Sequence, residues 1–203
     1  EYIFYKFFGE YVVDESIASA TGLYNFKKKK WLNIVDNKKL SKVVSTSHTL
    51  ANMLPQMRKK LSLQKNISFV IGASDGALAN LGAHALTKDK AVVTLGTSGA
   101  VRVSVDAASP FKANGLFRYV ITEDLHIAGG PVNNGGIVLK WFADLFLSEE
   151  EKNGDYVQYI LELAEKASWQ SKIIFMPYLL GERAPIWNEN AGGVFFNLNA
   201  NDK

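Results

Sequence analysis

One stretch, Ile71 to Gly99, limits the fold more than any other: IGASDGALANLGAHALTKDKAVVTLGTSG. The run from Ile67 to Ile71 is mostly β-branched or aromatic and predicts a buried strand that Gly72 ends. From Asp75 to Leu86, Ala, Leu, Asn and Gly predict a helix, and Ala91 to Leu95 predicts the next strand. Gly96-Thr-Ser-Gly99 then turns the chain. Strand, turn, helix, strand, turn is an α/β signature. The first turn puts a carboxylate at a helix start, and the second can aim several backbone N–H groups at an anion. An acid together with an anion cradle points to phosphoryl transfer to a hydroxyl.

Around this stretch the pattern continues in both directions. Tyr2 to Phe8 reads as the end of a helix or a strand, and a short strand is expected around Leu23 to Phe26. Trp31 to Val35 and Leu50 to Leu61 carry helix-like apolar spacing, with Pro55 marking the start of the second helix. Val101 to Val105 alternates as a strand, and Leu116 to Ile121 with Leu125 to Ala128 predicts a hairpin. Gly129 to Gly136 reads as a glycine-rich loop. Ile137 to Phe146 and Tyr156 to Ala167 are amphipathic helices. Ile173 to Met176 and Val194 to Phe196 are strands flanking a long loop. The αβ pattern gives way to consecutive strands near Thr87-Lys-Asp-Lys90, so two domains are expected, 1–86 and 87–203.

Composition excludes several classes. The net charge of +3 over 203 residues is too small to imply nucleic acid without a clustered patch. The one basic run, Lys27 to Lys30, reads as a solvated turn. With no cysteine, disulfides and thiolate metal sites are ruled out. His48, His84 and His126 lack metal-ligand spacing, so no metal ligands are expected among them. No apolar run reaches the roughly 18 to 20 residues of a membrane span, and a cytoplasmic protein without a membrane partner is expected.

Taken alone, the candidate residues each have two readings. Asp75 is either a helix cap or a general base, and a helix N-terminus favours the ionised carboxylate that a base must be. Gly96 to Gly99 is either a hairpin turn or an anion cradle to which Thr97 and Ser98 add hydroxyls. Gly135 and Gly136 open a helix and are either an anion site or a flexible loop. Glu182 and Arg183 form either an ion pair or a loop staple.

Taken in order, GASDGALANLG, TLGTSG and PYLLGERAPIWNENAGGVFF, preceded by VVDESIASATGLYNFKKKKW, resemble the FGGY family of carbohydrate kinases. Within it, SIASATGLYN, VVSTSHTLANML and FVIGASDGALANLG are most similar to the branch that phosphorylates gluconate, with xylulose kinases as the alternative. A non-catalytic actin-like module is the reading from another class. The resemblance implies an actin-like, ribonuclease-H-like α/β fold, with this chain holding the end of the sugar-binding domain and the start of the nucleotide-binding domain. It implies ATP and Mg2+ as cofactors, a sugar acid as the small-molecule partner, and a chain that allows a homodimer.

Residue by residue, Asp75 matches the family's catalytic base, with Gly76 beside it at the sugar. Gly96 and Thr97, with Ser98 alongside, match the segment that holds the ATP phosphates. Gly136 matches a glycine near the nucleotide. Glu182, Arg183 and Pro185 match a signature loop of unassigned role. Glycerol kinases carry Gln where this chain has Gly76, and Phe where it has Ala100. Both replacements are expected to enlarge the site for a six-carbon acid. Lys140 and Arg183 are the cations near matched motifs that could face a substrate carboxylate. The family's opening Asp-x-Gly-Thr hairpin and its closing adenosine motif are absent. The chain therefore reads as roughly the middle two-fifths of a kinase, not expected to catalyse alone.

Overall fold

The computed structural model describes residues 1–110, 112, 114–167 and 172–200. The last three residues of the second expected domain, 201–203, lie outside this range. In chain order the elements are α1 (Tyr2–Phe8), β1 (Val12–Asp14), α2 (Glu15–Ala20), β2 (Tyr24–Asn25), β3 (Lys30–Trp31), β4 (Lys42–Val44), β5 (Thr49–Leu50), α3 (Pro55–Lys60), β6 (Phe69–Val70) and α4 (Asp75–Gly82). There follow β7 (Ala91–Leu95), β8 (Gly99–Asp106), β9 (Phe117–Val120), β10 (Leu125–Val132), α5 (Ile137–Phe146), α6 (Glu149–Lys152), α7 (Tyr156–Lys166), β11 (Ile174–Met176) and β12 (Val194–Phe196). Helices and strands are mixed along the chain, as expected of the α/β class, with β7 to β10 following one another without a helix between them.

The chain divides into two compact units. The first comprises 1–92, 102–113 and 117–129; the second comprises 93–101, 114–116 and 130–203. A four-stranded sheet has the order β7-β8-β10-β9.

In the first unit, β1 and β4 pair in parallel with Val13 opposite Val43. Val12, Val44 and Leu50 form a core that Phe4, Phe8 and Ile71 pack against. Val13, Ala18 and Tyr24 form a second core, flanked by Phe26, Trp31 and Val43. Asp14 ends β1 and caps α2, its Oδ1 accepting from the Ile17 N–H at 2.8 Å. The β9–β10 hairpin contributes Ile121 and Ile127 to a third core, which receives Ala77 from α4. This last contact fixes the buried face of α4. In the second unit, β11 and β12 pair antiparallel, with Phe175 stacked on Phe195 at 4.2 Å and Trp141 of α5 on Phe175 at 5.4 Å.

Several expectations are corrected. Trp31 to Val35 is not a helix: Trp31 lies in β3 opposite Tyr24, its indole N–H donates to the Ser41 carbonyl at 3.0 Å, and Ile34 is exposed. The run before Gly72 is not a buried strand. Only Phe69 and Val70 pair, with β5, and Val70 is 60% exposed. Helix α4 stops at Gly82 rather than Leu86, because His84 adopts a left-handed φ of 52° and the Ala85 N–H turns back to the Asn80 carbonyl. Gly129 and Gly130 belong to β10, leaving Asn133 to Gly136 as the loop. Gly130 is required there for close approach, since a Cβ would lie 2.8 Å from that of Ala184.

Candidate functional site

The predicted site residues fall in two places, one in each unit. In the first unit, α4 begins at Asp75, with Ser74 as its N-cap residue. Ser74 makes no side-chain cap bond. The Asp75 Oδ1 accepts from the N–H of Gly76 at 2.7 Å and from the hydroxyl of Ser74 at 3.5 Å. Asp75 itself is exposed, while Gly76 and Ala77 behind it are buried. An ionised carboxylate suits this position, because the first turn of a helix carries unsatisfied N–H groups.

Gly76 does not open the site in the expected way. A Cβ at this position would lie 3.1 Å from Nε and 3.2 Å from Nη2 of Arg102. The room left by the missing side chain is therefore filled by a guanidinium. Arg102 is the residue that sequence reasoning missed. Its signal lay in the alternation of β8, where Ala100 and Ser104 are buried and Val101 is 48% exposed. The period-2 pattern thus turns the polar residues of AVRVSVD inward, with Arg102 on the same face.

In the second unit, the turn from Gly96 to Gly99 joins β7 to β8, and Gly96, Thr97 and Ser98 are exposed. The Gly96 N–H is used internally, donating to the Ser98 carbonyl at 2.8 Å. Among the described residues, the N–H and hydroxyl groups of Thr97 and Ser98 remain uncommitted. They are the donors that an anion could take.

The start of α5 grips this turn. The N–H groups of Gly135 and Ile137 donate to the Thr97 carbonyl at 3.1 and 3.2 Å, and that of Gly136 donates to the Gly96 carbonyl at 2.7 Å. The expectation of a second anion site, or of a flexible loop, at Gly135 and Gly136 is corrected on that ground, because these N–H groups are spent on the turn. A Cβ on Gly135 would lie 2.7 Å from the Ser98 carbonyl carbon, so only glycine permits the approach.

The Glu182 loop lies behind the same segment. Glu182 is 5% exposed, and its Oε1 accepts from the N–H groups of Asn133 and Arg183, both at 2.7 Å. It is a loop staple; Arg183 turns away and donates Nη2 to the Val132 carbonyl at 2.8 Å. Lys140 pairs with Asp144 at 3.0 Å. Both cations considered for a substrate carboxylate thus have partners within their own unit. Pro185 follows a cis peptide bond after Ala184.

His126 is buried beside Arg118, whose Nε donates to its Nδ1 at 2.9 Å. Burial first, and the neighbouring guanidinium second, push the imidazole down to about 4. Among the described residues no cluster of three His, Asp or Glu side chains could hold a metal ion, and no helix is long and apolar enough to cross a membrane.

Comparison with known proteins adds identity to this geometry. Residues 1–82 match the N-terminal domain model of the FGGY family of carbohydrate kinases, and residues 91–203 match the C-terminal domain model. The chain is 40% identical over its whole length to a gluconokinase of Bacillus subtilis, of which it covers 42%. It is similar to the crystal structure of gluconate kinase from Lactobacillus acidophilus, with a TM-score of 0.89 and 33% identity, covering 98% of this chain and 41% of that one. It is equally similar to a ligand-bound xylulose kinase from the same organism, with a TM-score of 0.87, 34% identity, and 98% and 41% coverage. The chain thus spans about two-fifths of the length of these relatives.

Proposed function

The chain belongs to the FGGY family of carbohydrate kinases, and from that premise we propose that the whole protein transfers the γ-phosphoryl group of ATP to the C6 hydroxyl of gluconate, giving 6-phosphogluconate. The observation that carries this reading is the 40% identity to a gluconokinase across every element described above. Residues 1–86 supply the end of the sugar-binding part, and residues 87–203 the start of the nucleotide-binding part. A cytoplasmic location accords with the supply of ATP.

In this mechanism Asp75 is the general base. Its exposed carboxylate accepts the proton of the attacking hydroxyl, while the Gly76 N–H bond fixes its orientation. The alkoxide oxygen attacks the γ-phosphorus in line, the bond to the β-bridging oxygen breaks, and ADP leaves. The free donors of Thr97 and Ser98 suit phosphate oxygens, whose charge they stabilise as it shifts in the transition state. Gly96 and Gly136 hold those donors in place. Mg2+, when bound with the nucleotide, supplies neutralisation of phosphate charge. A second reading, phosphorylation of xylulose, is supported by the likeness to the xylulose kinase structure.

The test is sugar-dependent ADP release by the intact polypeptide, with gluconate, xylulose and glycerol offered separately. Turnover on gluconate that the other two do not elicit is expected. Preference for xylulose would retain the family chemistry and overturn the substrate. ADP release that no sugar stimulates would overturn the kinase reading.

A further inference from the structure

Glu182 is a buried carboxylate that pairs with no cation among the described residues. Three donors converge on it instead. Oε1 takes the N–H groups of Asn133 and Arg183, and Oε2 takes the Asn134 side-chain amide at 3.2 Å. That amide nitrogen also donates to the Gly181 carbonyl at 2.7 Å, and its carbonyl partner, Oδ1, accepts from the Leu180 N–H at 3.1 Å. The Asn133 amide reaches the Leu180 carbonyl at 3.0 Å. The two asparagines are therefore fixed at both ends. The next residues along the chain, Gly135 to Ile137, are the ones that grip Gly96 and Thr97.

From this continuous series of bonds we infer that Glu182 is the positioning residue of the phosphate turn. It fixes Asn133 and Asn134. These set the start of α5, and the start of α5 holds the Gly96 and Thr97 carbonyls so that the Thr97 and Ser98 donors keep one orientation. The inference rests on reading this turn as the holder of the ATP phosphates. The chemistry explains why a carboxylate is needed. Only an acceptor on both oxygens can satisfy donors from three directions. Glutamine would keep the two backbone bonds but present an NH2 group to the Asn134 NH2. Asn134 cannot turn its amide over without losing the Leu180 bond.

The experiment compares Glu182→Ala and Glu182→Gln with the wild type in the intact protein. It measures KM for ATP, KM for the sugar, kcat, and hydrogen exchange of the Gly135 to Ile137 amides. Loss of charge-assisted bonds should raise KM for ATP about tenfold in the alanine variant and about threefold in the glutamine variant, while KM for the sugar stays within about twofold. Exchange at the three amides should quicken in the same order. An unchanged KM for ATP in a folded alanine variant would overturn the inference, as would a fall in kcat with both KM values unmoved. Should the alanine variant fail to fold, the glutamine variant decides by the same criteria. A wild type that phosphorylates no sugar would refute the kinase reading instead. The exchange measurement needs no turnover, and unchanged exchange overturns the positioning role in either case.

Discussion

The turn before Asp75 and the turn at Gly96 look alike in sequence, each a small glycine-bearing segment beside a strand, yet they are built in opposite ways. Asp75 takes its bonds from Ser74 and Gly76, its immediate neighbours. The Gly96 turn is held by Gly135, Gly136 and Ile137, and through them by Glu182. The first is a local construction that leaves its functional atom exposed. The second is assembled from remote chain: its Gly96 and Thr97 carbonyls are spent on being held, which leaves the Thr97 and Ser98 N–H and hydroxyl donors open. A base needs freedom to exchange a proton, whereas a charge-stabilising cradle works best when its dipoles are already oriented.

Substitutions can break or sharpen this contrast. The largest effect is expected for Asp75→Asn, which should lower turnover by at least about 100-fold, the usual worth of a general base. Its melting temperature should stay that of the wild type, since no remote contact is lost. Near-normal turnover would remove Asp75 from its role, and a large loss of stability would remove the contrast.

Gly135→Ala comes next. Its Cβ would meet backbone, which cannot step aside. Denaturant unfolding should register a loss of about 2 to 3 kcal/mol, in the range of overpacked sites, together with weaker ATP binding.

Acid tests the unit that carries Asp75. His126 is neutral in the fold and held down to about 4, below its ordinary value of 6.5. As pH falls below about 6.5, the unfolded chain takes up a proton that the folded chain refuses. Stability should therefore decline from that pH down to about 4 and then level off. The loss should be on the order of 1 kcal/mol after allowance for solvent screening. Thermal melts at pH 7 and 4.5 should show a smaller difference in His126→Gln than in the wild type.

The smallest effect is expected for Gly76→Ala. Its Cβ would press on the far end of the long Arg102 side chain rather than on backbone, while alanine improves the helix, so stability should change by less than about 1 kcal/mol. A loss as large as that of Gly135→Ala would show that the Asp75 turn is held as tightly as the other.

The same contrast explains what the sequence made legible. Pro55 at the first position of α3, the hairpin ahead of Ala128, and the order of strand, acid, helix and GTSG all follow from neighbours within a few residues. Trp31 to Val35 was misleading because the indole reaches Ser41 and its strand pairs with Tyr24, neither of which periodicity can see. Gly129 and Gly130 looked like loop residues, but both lie in β10, which needs Gly130 slim where Ala184 approaches. At the site, Asp75 and the Thr97–Ser98 pair could be read from local chemistry and family likeness. Arg102 could not, because nothing local ties it to Gly76, and the staple, one of the two readings open at Glu182, could not be given its partner at residue 133.

The bonds that α5 makes to the turn also act on electrons. The Gly96 carbonyl and the Thr97 N–H are two ends of a single trans peptide plane, and the Thr97 carbonyl and the Ser98 N–H are two ends of the next. A carbonyl drawn towards the first N–H groups of α5 leaves its N–H facing the other way, out of the turn. Accepting those bonds also polarises each peptide and makes its N–H a stronger donor. The positive end of the α5 dipole is thus not blocked by the turn but relayed through two peptide groups, one peptide length beyond the helix itself.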